Sequence, residues 1–177
     1  GSIYIITDQL SGSGSFSANG GDAYYSGGGG RIAIHYNVGV GMINPETSTV
    51  SSGNAVIVSG SVGTLAFIHH TDGVSNNYSN ASLYVNEGWQ WDASNEDTYL
   101  SFEAYENTNI SGPIADDYAL NFTDYYRLQN NATWIITGDN ATLTVDDLIL
   151  NGGEIDINAN NFNFNLSGDA NLAPASN

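Results

Sequence analysis

The sequence predicts an all-β chain, and three observations carry that prediction. Short apolar segments rich in β-branched and aromatic residues recur along all 177 residues. No window keeps apolar residues at helical spacing for three turns, and Gly, Asn, Asp and Ser punctuate the apolar segments throughout. Strands are expected at 3–7, 31–36, 55–59, 64–68, 82–85, 99–103, 118–122, 133–137 and 141–145. The first two bracket a tract of almost nothing but Gly, Ser, Ala, Asn and Asp that ends in four consecutive glycines, 27–30. Glycine there allows backbone angles that other residues avoid.

The last fifty residues are the most regular. Trp134-Ile135-Ile136, Leu143-Thr144-Val145, Leu148-Ile149-Leu150, Ile155-Asp156-Ile157 and a segment from Phe162 to Leu166 follow one another about six to nine residues apart. Gly138-Asp139-Asn140, Asn151-Gly152-Gly153 and 158–161 separate them. Three such faces make a repeat of a little over about 20 residues, the low end of common solenoid repeats. The expected architecture is therefore a parallel β-helix, or solenoid. The alternative is a jelly-roll-like β-sandwich, whose antiparallel hairpins give similar spacing. Alternation puts Phe162, Phe164 and Leu166 on one core face and turns Asn163 and Asn165 to solvent or onto equivalents in the neighbouring repeat. One β-rich domain is expected over 1–177, with a seam near 38–53 around Pro45 and a linker at 172–177. The aromatic-rich stretch 69–124 is a candidate separate lobe.

Three tracts together suggest a family. Ser2-Ile3-Tyr4-Ile5 opens the chain, and Leu10-Ser11-Gly12-Ser13-Gly14 with Ala18-Asn19-Gly20-Gly21 follows. Gly28-Gly29-Gly30-Arg31-Ile32-Ala33-Ile34 closes the unit. The pattern resembles the glycine-rich coils of parallel β-helix, adhesin-like surface proteins of prokaryotes. It covers about the first 36 residues, with a looser echo after Asn131. The resemblance implies a solenoid scaffold and an extracellular or cell-surface setting, and it implies architecture more firmly than activity.

Charge narrows the partners. Arg31 and Arg127 are the only Lys or Arg residues against 19 acids, a formal charge of −17. Nucleic acid needs several basic contacts, so it is excluded as a partner, and anionic lipid is repelled. Self-association, neighbouring domains, neutral glycans and cations remain. With no cysteine, neither disulfides nor thiolate metal chemistry is available. No run approaches a membrane span, so membrane insertion is not expected, and no basic region followed by an apolar stretch opens the chain. Because it starts at Gly1 without methionine, a leader removed earlier is compatible with it.

Seven Asn-x-Ser/Thr triplets, at Asn77, Asn80, Asn109, Asn121, Asn131, Asn140 and Asn165, are candidate glycosylation sites. Trp89 and Trp91 share one face of any strand they form and are candidate sugar-stacking residues, with burial as the competing role. The oxygen-rich segment holding Asp92, Asn95 and Asp97 is the candidate calcium site, although it lacks the Gly and distal Glu of an EF-hand loop. Turn Asp and Asn residues also bond their own backbone without metal. Carboxylate pairs for glycosidase or lyase chemistry are Asp116 with Asp117, Asp146 with Asp147, and Glu154 with Asp156. Of these, only the last projects to one side of a strand. Two cations are few for an enzyme that binds acidic sugars, so no catalytic residue is assigned and the chain is read as a non-enzyme. His35, His69 and His70 lack the spacing of a zinc site, since adjacent histidines on a strand face opposite ways. Arg31 is expected to pair with a carboxylate such as Asp22, and Arg127 to do the same or to stack on tyrosine. These features point to a non-catalytic extracellular structural protein: a stalk or adhesin segment or a self-assembling filament. The alternatives are a carbohydrate-binding module and a polysaccharide-active enzyme.

Overall fold

The computed structural model describes residues 1–40, 47–71, 81–86, 88–90, 97–105, 108–112 and 118–174. These residues form an all-β structure with no α-helix. The spine of the largest sheet runs, in spatial order, through β1 (Ser2–Ser11), β3 (Arg31–Val40), β5 (Thr64–His70), β6 (Ala81–Asn86), β9 (Ser101–Ala104), β11 (Ala119–Gln129), β13 (Thr142–Asn151) and β15 (Asn163–Leu166). Beside this path, β8 (Asp97–Tyr99) pairs with β11 and β16 (Ala170–Ala173) with β13. A second sheet holds β7 (Gly88–Gln90), β10 (Asn109–Ser111), β12 (Thr133–Ile136) and β14 (Glu154–Ile157); β2 (Ala23–Tyr25) and β4 (Ala55–Val58) form a third. The short segments β2, β7, β10 and β16 fall where no strand was expected, because three or four residues beside Gly or Asn carry too little apolar pattern to stand out.

Pairing is parallel and long in sequence. Ser2 opposes Arg31 and Arg31 opposes Thr64, returns of 29 and 33 residues. Later, Ser82 opposes Ser101, Phe102 opposes Tyr126, Tyr126 opposes Leu148 and Leu148 opposes Ala170, returns of 19, 24, 22 and 22. Parallel strands need a crossover of a dozen or more residues, usually a helix. Here β10, β12 and β14 lie in the crossovers and pair with one another, Asn109 opposite Thr133 and Thr133 opposite Glu154. The connections thus satisfy their own backbone groups. This is not the hairpin pairing of a sandwich.

Among the described strand pairs, β5 with β6 is the antiparallel one, Leu65 opposite Asn86 and His70 opposite Ala81. Strand direction reverses there, and the core changes sides. Leu65 and Phe67 point into one cluster with Ile32, Ile34, Tyr36 and Val50. Their neighbours Ala66 and Ile68 point into the other, with Leu83, Val85, Phe102, Tyr126 and Trp134. Successive strand residues face opposite ways, so the two clusters lie on opposite faces of one sheet. A constant winding hand requires this: when strand direction flips while the sheet extends the same way, crossovers of the same hand move to the other face. Accordingly β5 and β6 are covered on both sides, and the burial of β5 is nearly continuous.

The second core is aromatic at its centre. Tyr126 stacks on Phe102, ring centroids 4.9 Å apart and 6° from coplanar, and packs against Trp134 at 4.9 Å and Phe122 at 5.0 Å. Trp134 fixes its ring by donating Nε1–H to the Gly112 carbonyl. Near the chain's end the face assignment holds while coverage thins. Phe164 and Leu166 continue the columns of Leu143 and Val145 but are 40% and 38% exposed, and Asn165 donates to Thr144 Oγ1.

Adjacent positions in β5 should therefore be equally costly to truncate. Phe67→Ala and Ile68→Ala are each expected to lose about 2–5 kcal/mol in urea unfolding, the usual cost of a large-to-alanine core change. On β13, whose faces are unequal, Val145→Ala should cost as much and Thr144→Ala less than about 1 kcal/mol.

Candidate functional site

The glycine-rich tract folds as a two-layered arm. Residues 16–30 lie along 48–63, with Ala18 N–H donating to Thr49 O at 2.9 Å, Gly20 N–H to Ser51 O at 2.9 Å and Gly29 N–H to Ser61 O at 2.9 Å. Polar side chains continue the match: Asn19 Oδ1 accepts from Ser51 N–H at 3.0 Å, and Asp22 Oδ1 from Asn54 N–H at 2.7 Å. Each layer also closes on itself, Gly30 N–H donating to Ala18 O at 2.7 Å and Gly63 N–H to Val50 O at 2.8 Å. Glycine is required at these closures for space. A Cβ on Gly29 would overlap the Val50 carbonyl, and one on Gly63 would overlap that of Gly30.

At the arm's tip Tyr24, Tyr25, Val56, Ile57 and Val58 are all more than half exposed. Asp22 is the sole charged residue within 9–30 and 47–63. Residues 1–70 hold three acids, Asp8, Asp22 and Glu46, against Arg31; the other sixteen acids lie in 71–177 against Arg127. The chain is thus polarised, with a nearly neutral portion bearing exposed apolar side chains and a strongly acidic portion. A contiguous exposed apolar patch on a water-soluble surface marks a contact site.

The outer face of the second half carries a polar cluster. Glu103, 7% exposed, accepts from Gln129 Nε2, from Arg127 at 3.3 Å and from the Tyr125 hydroxyl at 3.4 Å. The Arg127 guanidinium also sits 5.0 Å from the Tyr125 ring centre, and burial pushes that phenol up to about 12. Arg127 combines both roles expected of it. Arg31 does not pair with Asp22, whose carboxylate is engaged by the Asn54 amide; among the described residues the ion pair is Arg127 with Glu103.

The histidines separate as their spacing implied. His69 Nε2 lies 2.9 Å from Asn37 O and its ring stacks on Tyr36, whereas His70 emerges on the opposite face and meets His35, Nδ1 to Nε2 at 3.0 Å. No group of three His, Cys, Asp or Glu suited to a metal occurs among the described residues. Of the calcium candidates, Asp92 and Asn95 lie outside the described residues and Asp97 opens β8.

Trp91 also lies outside the described residues. Trp89 sits in the column of Ile110, Trp134 and Ile155, half-buried against the second core at the sheet edge. There it lines a recess of about 230 Å³ with Val62, Thr64, Asn109, Ser111 and Ile135. Among the sequons, Asn109 is exposed on β10, and Asn131 and Asn140 occupy exposed turns with φ of 64° and 57°. Asn165 is exposed and Asn121 half-buried; Asn77 and Asn80 fall outside the described residues. Glu154 and Asp156 do project to one side of β14, opposite Thr133 and Ile135. Asp146 and Asp147 act as stacking acceptors, for Ser167 Oγ and Asp169 N–H, each at 2.8 Å. Asp116 and Asp117 are outside the described residues.

No family model matches this chain, and no curated protein or solved structure matches it either. No helix among the described residues is long and apolar enough to cross a membrane. Sequence reasoning missed the Glu103 and His35–His70 clusters, whose members are 24 and 35 residues apart. The return length is the signal that finds them: Glu103 opposes Arg127, and His35 opposes Ile68, two residues before His70.

The arm's dependence on close backbone contact can be checked directly. Gly63→Ala should destabilise the protein by about 3 kcal/mol through overpacking, whereas Gly14→Ala, where a methyl meets nothing within 4 Å, should stay within about 0.5 kcal/mol of wild type.

Proposed function

We propose that this chain is a parallel β-helical segment of an extracellular surface stalk, adhesin or self-assembling filament, similar to glycine-rich surface proteins of prokaryotes, and that it acts by scaffolding and contact rather than catalysis. The observation that carries this reading is the register, in which successive passes of the chain lie parallel on one another at returns of 19 to 24 residues and the crossovers pair among themselves. Stacked turns support it. Asn160 donates its backbone and side-chain N–H groups to Asp139 at 2.8 and 3.0 Å, holding that carboxyl below the usual range, and Asn161 donates to Asn140. Such a scaffold is quasi-one-dimensional and grows by nearest-neighbour contacts.

The neutral arm supports contact with a second copy or a neighbouring domain, because it is where an acidic chain approaches another with least repulsion. Exposed Asn109, Asn131 and Asn140 are the sequons best placed to carry glycans. The 92–97 segment is the place for calcium to offset the acids of the second half. Negative-stain electron microscopy and sedimentation at physiological salt, with and without calcium, test the assembly reading. Filaments or defined oligomers that Val56→Asp with Val58→Asp dissolves are expected. A monomer at every concentration, unmoved by calcium, would overturn self-assembly and leave a non-assembling scaffold.

A second reading, a carbohydrate-binding module, is favoured by the recess beside Trp89. Glycan binding that disappears in Trp89→Ala while the fold melts normally would establish it, and a blank glycan screen would remove it.

A further inference from the structure

The least expected group in the molecule is a pair of imidazoles buried where the sheet exchanges its cores. His35 on β3 and His70 at the end of β5 are 5% and 1% exposed. Their facing nitrogens, His35 Nδ1 and His70 Nε2, are 3.0 Å apart, and the rings stack at 5.3 Å and 22°. One of these nitrogens must donate an N–H and the other offer a lone pair. The contact therefore exists only while at least one imidazole is neutral.

Among the described residues, mainly apolar side chains flank the pair. From β1, Tyr4 presents its ring edge to His35 at 5.5 Å, and Ile6 lies in register beside it. From β6, Ala81 opposes His70 and Leu83 opposes Ile68. The charged groups on this side of β1 and β3 are Asp8, whose carboxylate accepts from Asn37 Nδ2 at 3.3 Å, and exposed Arg31. His69 lies across the strand on the other face. The adjoining core contributes the phenols of Tyr99, Tyr118 and Tyr126, and burial pushes that of Tyr126 up.

We propose that the His35–His70 pair is an acid-sensitive latch on the β3–β5–β6 seam, closed when the pair shares one hydrogen bond and opened when both rings are protonated. One extra proton is compatible with an N–H···N contact. A second puts two N–H groups and two like charges face to face at 3.0 Å inside the protein. Burial acts in the same sense: it lowers both pKa values, with mutual repulsion for His35 and His69 for His70 adding to it. Because the folded values are depressed, the opened or unfolded chain binds more protons as pH falls through about 6.5, the ordinary histidine value. Closure is thus fully favoured above that pH and weakens below it, by up to about tenfold per pH unit for each ring. The latch belongs to the fold and holds whichever function the scaffold serves.

Hydrogen exchange of the full chain between pH 7.5 and 5, corrected for intrinsic rates, is the test. Amides of β3, β5 and β6 should lose protection on acidification while those of β11 and β13 keep theirs. His35→Asn with His70→Gln places amide groups near the two ring nitrogens without a titrating proton, and should abolish the dependence; His69→Gln should not. If the double variant does not fold, histidine titration followed by NMR in the wild type decides, since His35 and His70 must both titrate below about 6.5. Protection that ignores pH, an equal loss across all strands, or two ordinary titrations would each overturn the latch.

Discussion

The structure depends on the antiparallel contact between β5 and β6. Every other described strand pair is parallel, so this one contact reverses the direction of the whole chain within a continuous sheet. With winding hand held constant, reversal obliges the core to pass from one face to the other. Two strands must then be covered on both sides, and their composition answers that demand. Leu65-Ala66-Phe67-Ile68 and Ala81-Ser82-Leu83 are nearly uninterrupted runs of apolar or small residues, buried throughout. Farther along the sheet alternation returns, as in Leu143-Thr144-Val145.

On either side of this seam the two halves solve the same packing problem with different materials. The first uses glycine, letting peptide groups approach so closely that a methyl would collide, and keeps its surface nearly neutral. The second fills its interior with stacked aromatic rings and tolerates sixteen acids. Among the described residues Asp124, Asp146, Glu154, Asp156 and Asp169 are exposed, where water screens them. Several also work as hydrogen-bond acceptors for the next pass of the chain, Asp139 for Asn160 and Asp147 for Asp169. Backbone and side-chain hydrogen bonds thus recur at the same spacing, Leu148 N–H donating to Asp169 O and Asp169 N–H to the Asp147 carboxylate.

Much of the strand content was legible from the residues, because β-branched and aromatic segments set between Gly and Asn are a strong local signal. The face of Phe162, Phe164 and Leu166, the common side of Glu154 and Asp156, and the opposite faces of His69 and His70 all followed from the period of two. Pairing direction was less accessible. A strand's own sequence does not state whether its neighbour lies 20 residues away in parallel or across a reversal, and the β5–β6 contact is decided by which faces find a partner. The same limit hid Glu103 beside Arg127 and His35 beside His70, and the Arg31–Asp22 pair expected from the sequence does not form. Short strands such as Asn109–Ser111 are made by their neighbours in the stack, not by their own propensity.

The direction of that one contact is the point on which the account turns. Nuclear Overhauser contacts between backbone protons of 64–70 and 81–86 measure it directly. Antiparallel pairing predicts contacts between residues whose numbers have a constant sum, Leu65 with Asn86, Phe67 with Tyr84 and His69 with Ser82. Contacts at a constant difference, of the kind that join Ser82 to Ser101 and Leu83 to Phe102, would contradict it and return both cores to one face of the sheet.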